Sequence, residues 1–205
     1  MGYRMPNNCR DTLRFGVLTI AISSVLFVAC GGSTKTSAPA SSTTGTPGTV
    51  AATTTALPED FVAIETSFVN LHKWTKVRGF YLTNMSGHLD ETLKIARANT
   101  GGIYPVGTIV QLFPGEAMVK RRKGFDPRSH DWEFFVLNNS ATGTKIAKRG
   151  GSKVINFAGL SCASCHSGAK PQFDFVCEET HGCVALPFKH DFFDKLQEGD
   201  PRPLT

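Results

Sequence analysis

The sequence lacks an apolar run long enough to cross a membrane, and it lacks a large excess of charge of either sign. Its longest apolar stretch covers residues 15–29 (FGVLTIAISSVLFVA), which is shorter than the roughly 20 residues that a membrane-spanning helix requires. Of the 22 lysines and arginines and the 17 acids, three and one precede Cys30, so the remainder carries a net charge of only +3. The basic run at 120–123 (KRRK) has no interleaved aromatic residues and no nucleic-acid motif. It therefore predicts a solvated turn or a docking patch for an acidic redox partner, and not a nucleic-acid site.

The N-terminal end has the pattern of an export signal. Three arginines precede the apolar stretch, which has the length of a signal-peptide core. Residues 26–31 (LFVACG) then resemble the bacterial lipobox, in which the cysteine is lipidated, although Phe27 stands where leucine is usual. We predict a lipoprotein signal peptide over residues 1–29 and a lipid on Cys30, with simple secretion or an uncleaved anchor as the alternatives. All three place the body of the protein outside the cytoplasm. The lipoprotein interpretation predicts the bacterial cell envelope, facing the periplasm, and Gly31 favours the outer membrane.

A low-complexity segment separates this signal from the rest of the chain. Residues 30–57 are mostly glycine, serine, threonine, alanine and proline, with a single charge at Lys35. Such a composition cannot bury enough apolar surface to offset the entropy lost on ordering. We predict a disordered tether that holds one domain, residues 58–205, at the membrane to which the lipid anchors it.

Residues 162–166 (CASCH) form the attachment signature of a c-type haem, the one cofactor that we predict. Cys162 and Cys165 would add to the two vinyl groups of the macrocycle, and His166 would then lie under the iron as its axial ligand. A zinc half-site would need a second cysteine pair at matching spacing, which the chain does not have. A thioredoxin-like dithiol would need a βαβ context, which the sequence does not show.

The other cysteines have separate expected fates. Cys9 leaves with the signal peptide and Cys30 takes the lipid. Cys177 and Cys183 are then left as a pair in an oxidising compartment, which predicts a disulfide. His181 lies inside the loop that they close and is expected at the surface, with a role as a ligand as the alternative.

Hydrophobic periodicity predicts an α+β domain. Apolar residues every three or four positions predict a helix over residues 61–77 that ends at Gly79, and a second helix at 88–98. The middle of the chain is β-branched and aromatic, which is typical of an antiparallel sheet. Strands are predicted at 106–113, 116–120, 132–137 and 153–157. The C-terminal part is predicted to form a short c-type haem-attachment helix and a last helix at 189–198.

The position of the haem motif separates this chain from common cytochromes. Electron-transfer cytochromes c carry the motif near the N-terminus and a methionine ligand downstream. Here Met85 and Met118 are the only methionines after the signal peptide, and both precede the motif. The predicted strands also exclude the four-helix cytochromes c′.

Several short motifs follow one another from Tyr104 onward. They are Pro105-x-Gly107-Thr108, Glu116-Ala117-x-Val119-Lys120, Phe125, Trp132, Phe134, and Cys162-Ala163-x-Cys165-His166 leading to Asp174. In this order they resemble the cytochrome P-460 family, which includes cytochrome c′-β. The resemblance implies an antiparallel sheet with helices, one covalent haem, His166 as the proximal ligand, and a distal face that is open to a small ligand.

The distal side departs from the family pattern at one position. Members that oxidise hydroxylamine cross-link a lysine to the haem five residues after the Pro-x-Gly-Thr glycine, where this chain has Leu112. Glu116 matches the family's distal carboxylate and is a candidate catalytic proton acceptor, or alternatively a solvated hairpin residue. Leu112, Phe113 and Met118 are candidates for an apolar distal wall against the haem, with ordinary core packing as the alternative. Because strand side chains alternate between faces, we do not expect all three to face the haem.

These observations predict a membrane-tethered monohaem c-type cytochrome with five-coordinate iron that binds or processes a small ligand such as nitric oxide. One alternative is a six-coordinate electron carrier, with Met118 able to serve as the sixth ligand. A haem enzyme that oxidises hydroxylamine is disfavoured by Leu112, and a structural lipoprotein without haem is the remaining alternative. The sequence is compatible with binding to a redox partner protein and with formation of a homodimer.

Overall fold

The computed structural model describes residues 59–186 and 188–204. The predicted signal peptide, the lipid site at Cys30 and the whole of the predicted tether lie outside the described residues. Within the described part, no helix is both long enough and apolar enough to span a bilayer.

Six antiparallel strands form one sheet, in which each strand pairs with the next along the chain. Antiparallel neighbours can be joined by short turns, so strands that follow one another in sequence can also be neighbours in the sheet. The strands are β1 Thr75–Val77, β2 Phe80–Asn84, β3 Thr108–Gln111, β4 Glu116–Lys120, β5 Trp132–Ser140 and β6 Gly143–Gly150. The α-helices are α1 Leu89–Arg97, α2 Cys162–His166 and α3 His190–Glu198. The predicted α+β class with an antiparallel sheet is confirmed.

The predicted helix over residues 61–77 is wrong. Two 3₁₀ turns precede β1 instead, Glu65–Ser67 and Leu71–Lys73. Val62 and Ile64 are 53% and 59% exposed, so the apolar residues of this stretch do not share one buried face. The side chain of Asn70 accepts a hydrogen bond from His72 N at 3.0 Å. Such a local bond offers the backbone an alternative to a helix.

The fourth predicted strand, at 153–157, is also wrong. Ile155 makes only an isolated bridge to Ser161, and the last strand of the sheet is β6. Three exposed cations lie on β6, namely Lys145, Lys148 and Arg149. Charges on an edge strand discourage pairing with another chain, but they also hide the apolar alternation by which a strand is recognised in sequence.

Side-chain alternation gives the sheet two faces with different coverings. The first, called here the motif face, carries Leu82, Val110, Met118, Phe134 and Val136. It is covered by α1, α2 and residues 175–176. The second, called the closed face, carries Ile109, Ala117, Val119, Phe135 and Leu137, and is covered by residues 61–74.

Buried charges next to the closed face are all paired. Arg121 Nη2 donates to Asp60 Oδ2 at 2.6 Å, and its Nη1 donates to Glu133. Arg149 Nε donates to the other oxygen of Glu133 at 2.7 Å, and Arg149 also lies over the Phe135 ring. A buried charge is tolerated when it is paired and hydrogen-bonded, and this network meets that condition.

Candidate functional site

Helix α2 places the CASCH motif over the motif face. It begins after Ser161, whose hydroxyl accepts a hydrogen bond from Ser164 N at 3.2 Å and so caps the helix. Cys162 is buried in the core of the motif face, Cys165 is half-buried, and both keep reduced thiols. Burial raises the pKa of the Cys162 thiol to about 12, and the Glu116 carboxylate adds to this effect. A redox dithiol commonly contains a thiol with a lowered pKa, and the pKa of Cys162 is shifted in the opposite direction.

The imidazole of His166 is held in one tautomer. Its Nδ1 lies 2.8 Å from the backbone oxygen of Phe175. A carbonyl oxygen can only accept, so the proton is on Nδ1 and the lone pair is on Nε2. Burial lowers the pKa of His166, and the ring, which packs 5.2 Å from Phe134, is neutral at pH 7. Histidines that bind metals commonly donate their other nitrogen to a carbonyl in this way.

The Phe175 carbonyl belongs to a strained turn. Asp174 and Phe175 have φ angles of +48° and +66°, a left-handed conformation that costs a residue with a side chain about 1–2 kcal/mol. Lys120 Nζ donates to both carboxylate oxygens of Asp174 at 2.8 Å. Tyr104 N donates to Oδ2 at 2.9 Å, and Trp132 Nε1 donates to the backbone oxygen of Asp174 at 2.6 Å. Strain of this kind persists where surrounding contacts over-determine the turn.

A disulfide lies just beyond this turn and joins Cys177 to Cys183, the pair expected from the sequence. The Sγ atom of Cys177 lies 3.5 Å from the backbone oxygen of Cys165, so the bridge packs against the end of α2. Closing so short a loop stabilises the fold by about 2 kcal/mol in the chain-entropy account. The prediction that His181 lies at the surface is wrong, because its ring is buried and stacks on Phe173 with centroids 3.7 Å apart.

Glu116 begins β4 on the motif face, close enough to Cys162 to influence that thiol. Its Oε1 atom is buried and has no hydrogen-bond partner among the residues described. Burial raises the pKa of Glu116 to about 7, and a hydrogen bond with Asn156 opposes this rise. A carboxyl group that titrates near neutral pH can take or give a proton there.

The three residues proposed for an apolar wall lie near Glu116. Met118 is in the core of the motif face together with Cys162, and Leu112 packs against that core. Phe113 lies beyond the end of β3, where strand alternation no longer decides its side. Leu112 and Met118 therefore lie on the side of α2, whereas Phe113 contacts the rings of Phe157 and Phe193.

Five phenylalanine rings form a cluster that extends from this hairpin to α3, called here the aromatic cluster. Its members are Phe113, Phe157, Phe188, Phe192 and Phe193, and adjacent ring centroids are 4.5–6.3 Å apart. Phe157 is 71% exposed, Phe188 55% and Phe192 40%. Contiguous exposed apolar surface marks a place where a ligand or partner binds. We did not predict this cluster, although three phenylalanines within six positions at 188–193 are a visible signal.

A groove of about 1040 Å³ opens elsewhere, beside Tyr104 and His130, and no residue of α2 lines it. It adjoins the basic run at 120–123, which we predicted to be a solvated turn or docking patch. Lys120 and Arg121 are instead 6% and 8% exposed and ion-paired, because they lie where β4 ends inside the fold. The exposed part of the run is limited to its last two residues.

No three His, Cys, Asp or Glu side chains of the described ranges are grouped so that they could hold a metal ion by themselves. Zinc takes at least three such ligands in most protein sites. A haem iron makes a smaller demand. The macrocycle supplies its equatorial nitrogens, and the protein needs to add one proximal ligand.

Comparison with known proteins identifies no relative. No protein-family model, no curated protein and no solved structure matches this chain.

Proposed function

We propose that this chain is a membrane-tethered, monohaem c-type cytochrome of the bacterial cell envelope, with an open iron position that binds or processes a small ligand such as nitric oxide. The observation that carries the proposal is the state of His166. Its Nδ1 proton is donated to the Phe175 carbonyl at 2.8 Å, which directs the Nε2 lone pair to a ligand. This imidazole is on the same short helix as two reduced thiols at C-x-x-C spacing.

The residues present fit a covalent haem. Cys162 and Cys165 would hold the macrocycle as thioethers, and His166 would bind the iron. The aromatic cluster offers a large apolar surface that a flat macrocycle could remove from water. The unpartnered Oε1 of Glu116 offers an acceptor for a bound ligand. These features together support the resemblance to the cytochrome P-460 family.

A haem iron with an open position supplies reversible binding of diatomic molecules and one-electron chemistry. The chain's own residues would decide what reaches it. Leu112 and Met118 present apolar surface, which disfavours water and admits a neutral gas. Glu116 would hold or release a proton at its carboxyl oxygen near neutral pH. Leu112 has no amine, so the lysine cross-link of hydroxylamine-oxidising members cannot form at that position.

A second candidate, a six-coordinate electron carrier, is favoured by the position of Met118. Its side chain is 4% exposed and lies in the same core as Cys162, whereas Met85 is 43% exposed and lies outside that core. A thioether bound to the iron would close the sixth position to gases.

The visible absorption spectrum of the purified ferrous protein separates these candidates. We expect a high-spin spectrum that shifts when carbon monoxide or nitric oxide is added. A low-spin spectrum that ignores carbon monoxide would contradict the open site and support the electron carrier. In that case Met118→Leu should convert the spectrum to high spin, while the matched change Met85→Leu should not. A red-shifted ferrous band together with turnover of hydroxylamine would support the enzyme instead.

A further inference from the structure

The hydrogen bond that orients His166 depends on an unusual piece of backbone. Its acceptor, the Phe175 carbonyl, lies in a turn where two consecutive residues with side chains have φ angles of +48° and +66°. A bulky residue such as phenylalanine is rarely found in this region. Backbone strain of this kind is concentrated at functional sites. This turn in the loop after α2 is therefore a candidate functional feature.

Asp174 is the residue through which the turn is attached to the sheet. Its side chain is 1% exposed, and its partners come from different elements. Lys120, at the end of β4, donates to both of its carboxylate oxygens at 2.8 Å. Trp132, at the start of β5, donates to its backbone oxygen at 2.6 Å, immediately before Phe175. The direction of the Phe175 carbonyl is thus determined by contacts to the sheet and not by local sequence.

The cation that serves Asp174 is itself held in place. Lys120 Nζ also donates to the backbone oxygen of His130 at 2.7 Å. The His130 ring lies 4.4 Å from the Phe175 ring, and its Nδ1 lies 3.8 Å from Asp174 Oδ1. Both residues of the left-handed turn therefore contact the segment from β4 to β5, Asp174 through Lys120 and Phe175 through His130.

We infer that Asp174, neutralised by Lys120, is a positioning residue for His166. It holds the turn that presents the Phe175 carbonyl to Nδ1, and so fixes the orientation of the imidazole and strengthens Nε2 as a ligand. A hydrogen bond at the second ring nitrogen makes a histidine a more basic metal ligand. The part of this inference that concerns the iron rests on the proposed function. The part that concerns the Nδ1 proton does not.

The test is the signal of the His166 Nδ1 proton in the variant Asp174→Asn, recorded by ¹H–¹⁵N NMR on the ferrous carbon monoxide complex. Asparagine keeps the size of the side chain but loses the charge that holds Lys120. We expect the slowly exchanging Nδ1 signal of the wild type to be lost. In the unligated ferrous protein the iron–histidine stretching frequency should fall, because a weaker hydrogen bond reduces electron donation from Nε2. Asp174→Glu keeps the charge, so it should retain part of the Nδ1 signal and part of the wild-type stretching frequency.

Asp200→Asn is the matched control. Asp200 is also a buried carboxylate that is paired with a cation, Arg202, and that accepts a hydrogen bond from a backbone N–H, that of Leu71 at 2.9 Å. It has no contact with the turn at Asp174 among its hydrogen bonds, so this control should leave the Nδ1 signal and the stretching frequency unchanged. The same response in both variants would show that Asp174 has only a general structural role and would overturn the inference.

Two further outcomes remain decisive. If Asp174→Asn does not fold, the double variant Lys120→Met, Asp174→Asn replaces the ion pair by neutral side chains of similar size and avoids a lone buried charge. Retention of the Nδ1 signal in that variant would contradict the inference. If the purified wild type contains no haem, the proposed function fails. The Nδ1 signal of the haem-free chain then still shows whether Asp174 holds His166.

Discussion

The two faces of the sheet are built from the same strands but are completed in different ways. On the closed face Phe135 is 1% exposed, and Glu133 is bound by two arginines. On the side of the motif face Phe157 is 71% exposed, and Glu116 has a buried oxygen without a partner. Gln111 on the closed face also has a buried Oε1 without a partner, so the two faces differ mainly in the exposed aromatic surface that lies beside Glu116.

This difference supports the proposed location of the site. Folded proteins satisfy nearly all buried polar groups and rarely expose large apolar patches. On the side of the motif face both exceptions occur together, beside two cysteines and a neutral imidazole, so we expect a further group to bind there. On this proposal the closed face stabilises the fold and the motif face binds the ligand.

The largest effect on stability is expected from Phe135→Ala. Its ring is fully buried and packs 5.0 Å from Phe68, so its removal should lower the free energy of unfolding by about 3–5 kcal/mol. The matched change Phe157→Ala removes an exposed ring and should alter it by no more than about 0.5 kcal/mol. Urea denaturation of both variants measures the difference. Equal losses in the free energy of unfolding would show that the two rings stabilise the fold to the same extent, which would contradict the difference between the two faces.

A smaller effect, which depends on pH, is expected from Glu116. Its pKa is raised from 4.5 to about 7, so the folded chain binds this proton more tightly than the unfolded chain does. The free energy of unfolding should therefore fall as pH rises through this window, by roughly 2–3 kcal/mol in total. Glu116→Gln does not titrate and should lack this decline.

Denaturant titrations at several pH values across that window check the prediction for Glu116. The quantity to compare is the difference between wild type and Glu116→Gln, because other groups titrate in both. A difference that stays constant with pH would mean that Glu116 is solvated, and the contrast between the two faces would lose one of its supports.

The smallest effect is expected from an ion pair at the rim of the sheet. Lys76 Nζ lies 3.0 Å from Asp194, and their side chains are 39% and 50% exposed. Exposed pairs contribute little because water and salt screen them, so Lys76→Ala should change the free energy of unfolding by less than about 1 kcal/mol. A loss as large as that of Phe135→Ala in thermal or urea denaturation would show that this exposed pair stabilises the fold as much as the closed face does.

Periodicity predicted those elements whose pattern is both regular and buried. The helices α1 and α3 and the strands β4 and β5 lie close to their expected bounds. The helix expected before Gly79 failed because its apolar residues recur at helical spacing but are divided between core and solvent. Strand β6 was missed because its side chains are mostly charged or small.

The candidate site was predictable only where it depends on residues close in sequence. The CASCH motif can be recognised from the spacing of its cysteines and histidine, and the Cys177–Cys183 pair from the predicted export to an oxidising compartment. The bond from His166 to the Phe175 carbonyl cannot, because it requires left-handed backbone at two residues that carry side chains. The role of Asp174 cannot either, since its partner Lys120 is 54 positions away in the chain.

The central claim is that Cys162, Cys165 and His166 hold a covalent haem, and a pyridine haemochrome spectrum tests it most directly. The protein should be produced in a host that attaches c-type haem. We predict a c-type spectrum for the wild type, retained when Cys177 and Cys183 are both changed to alanine and lost when Cys162 and Cys165 are. A wild-type protein without a c-type signal would contradict the account.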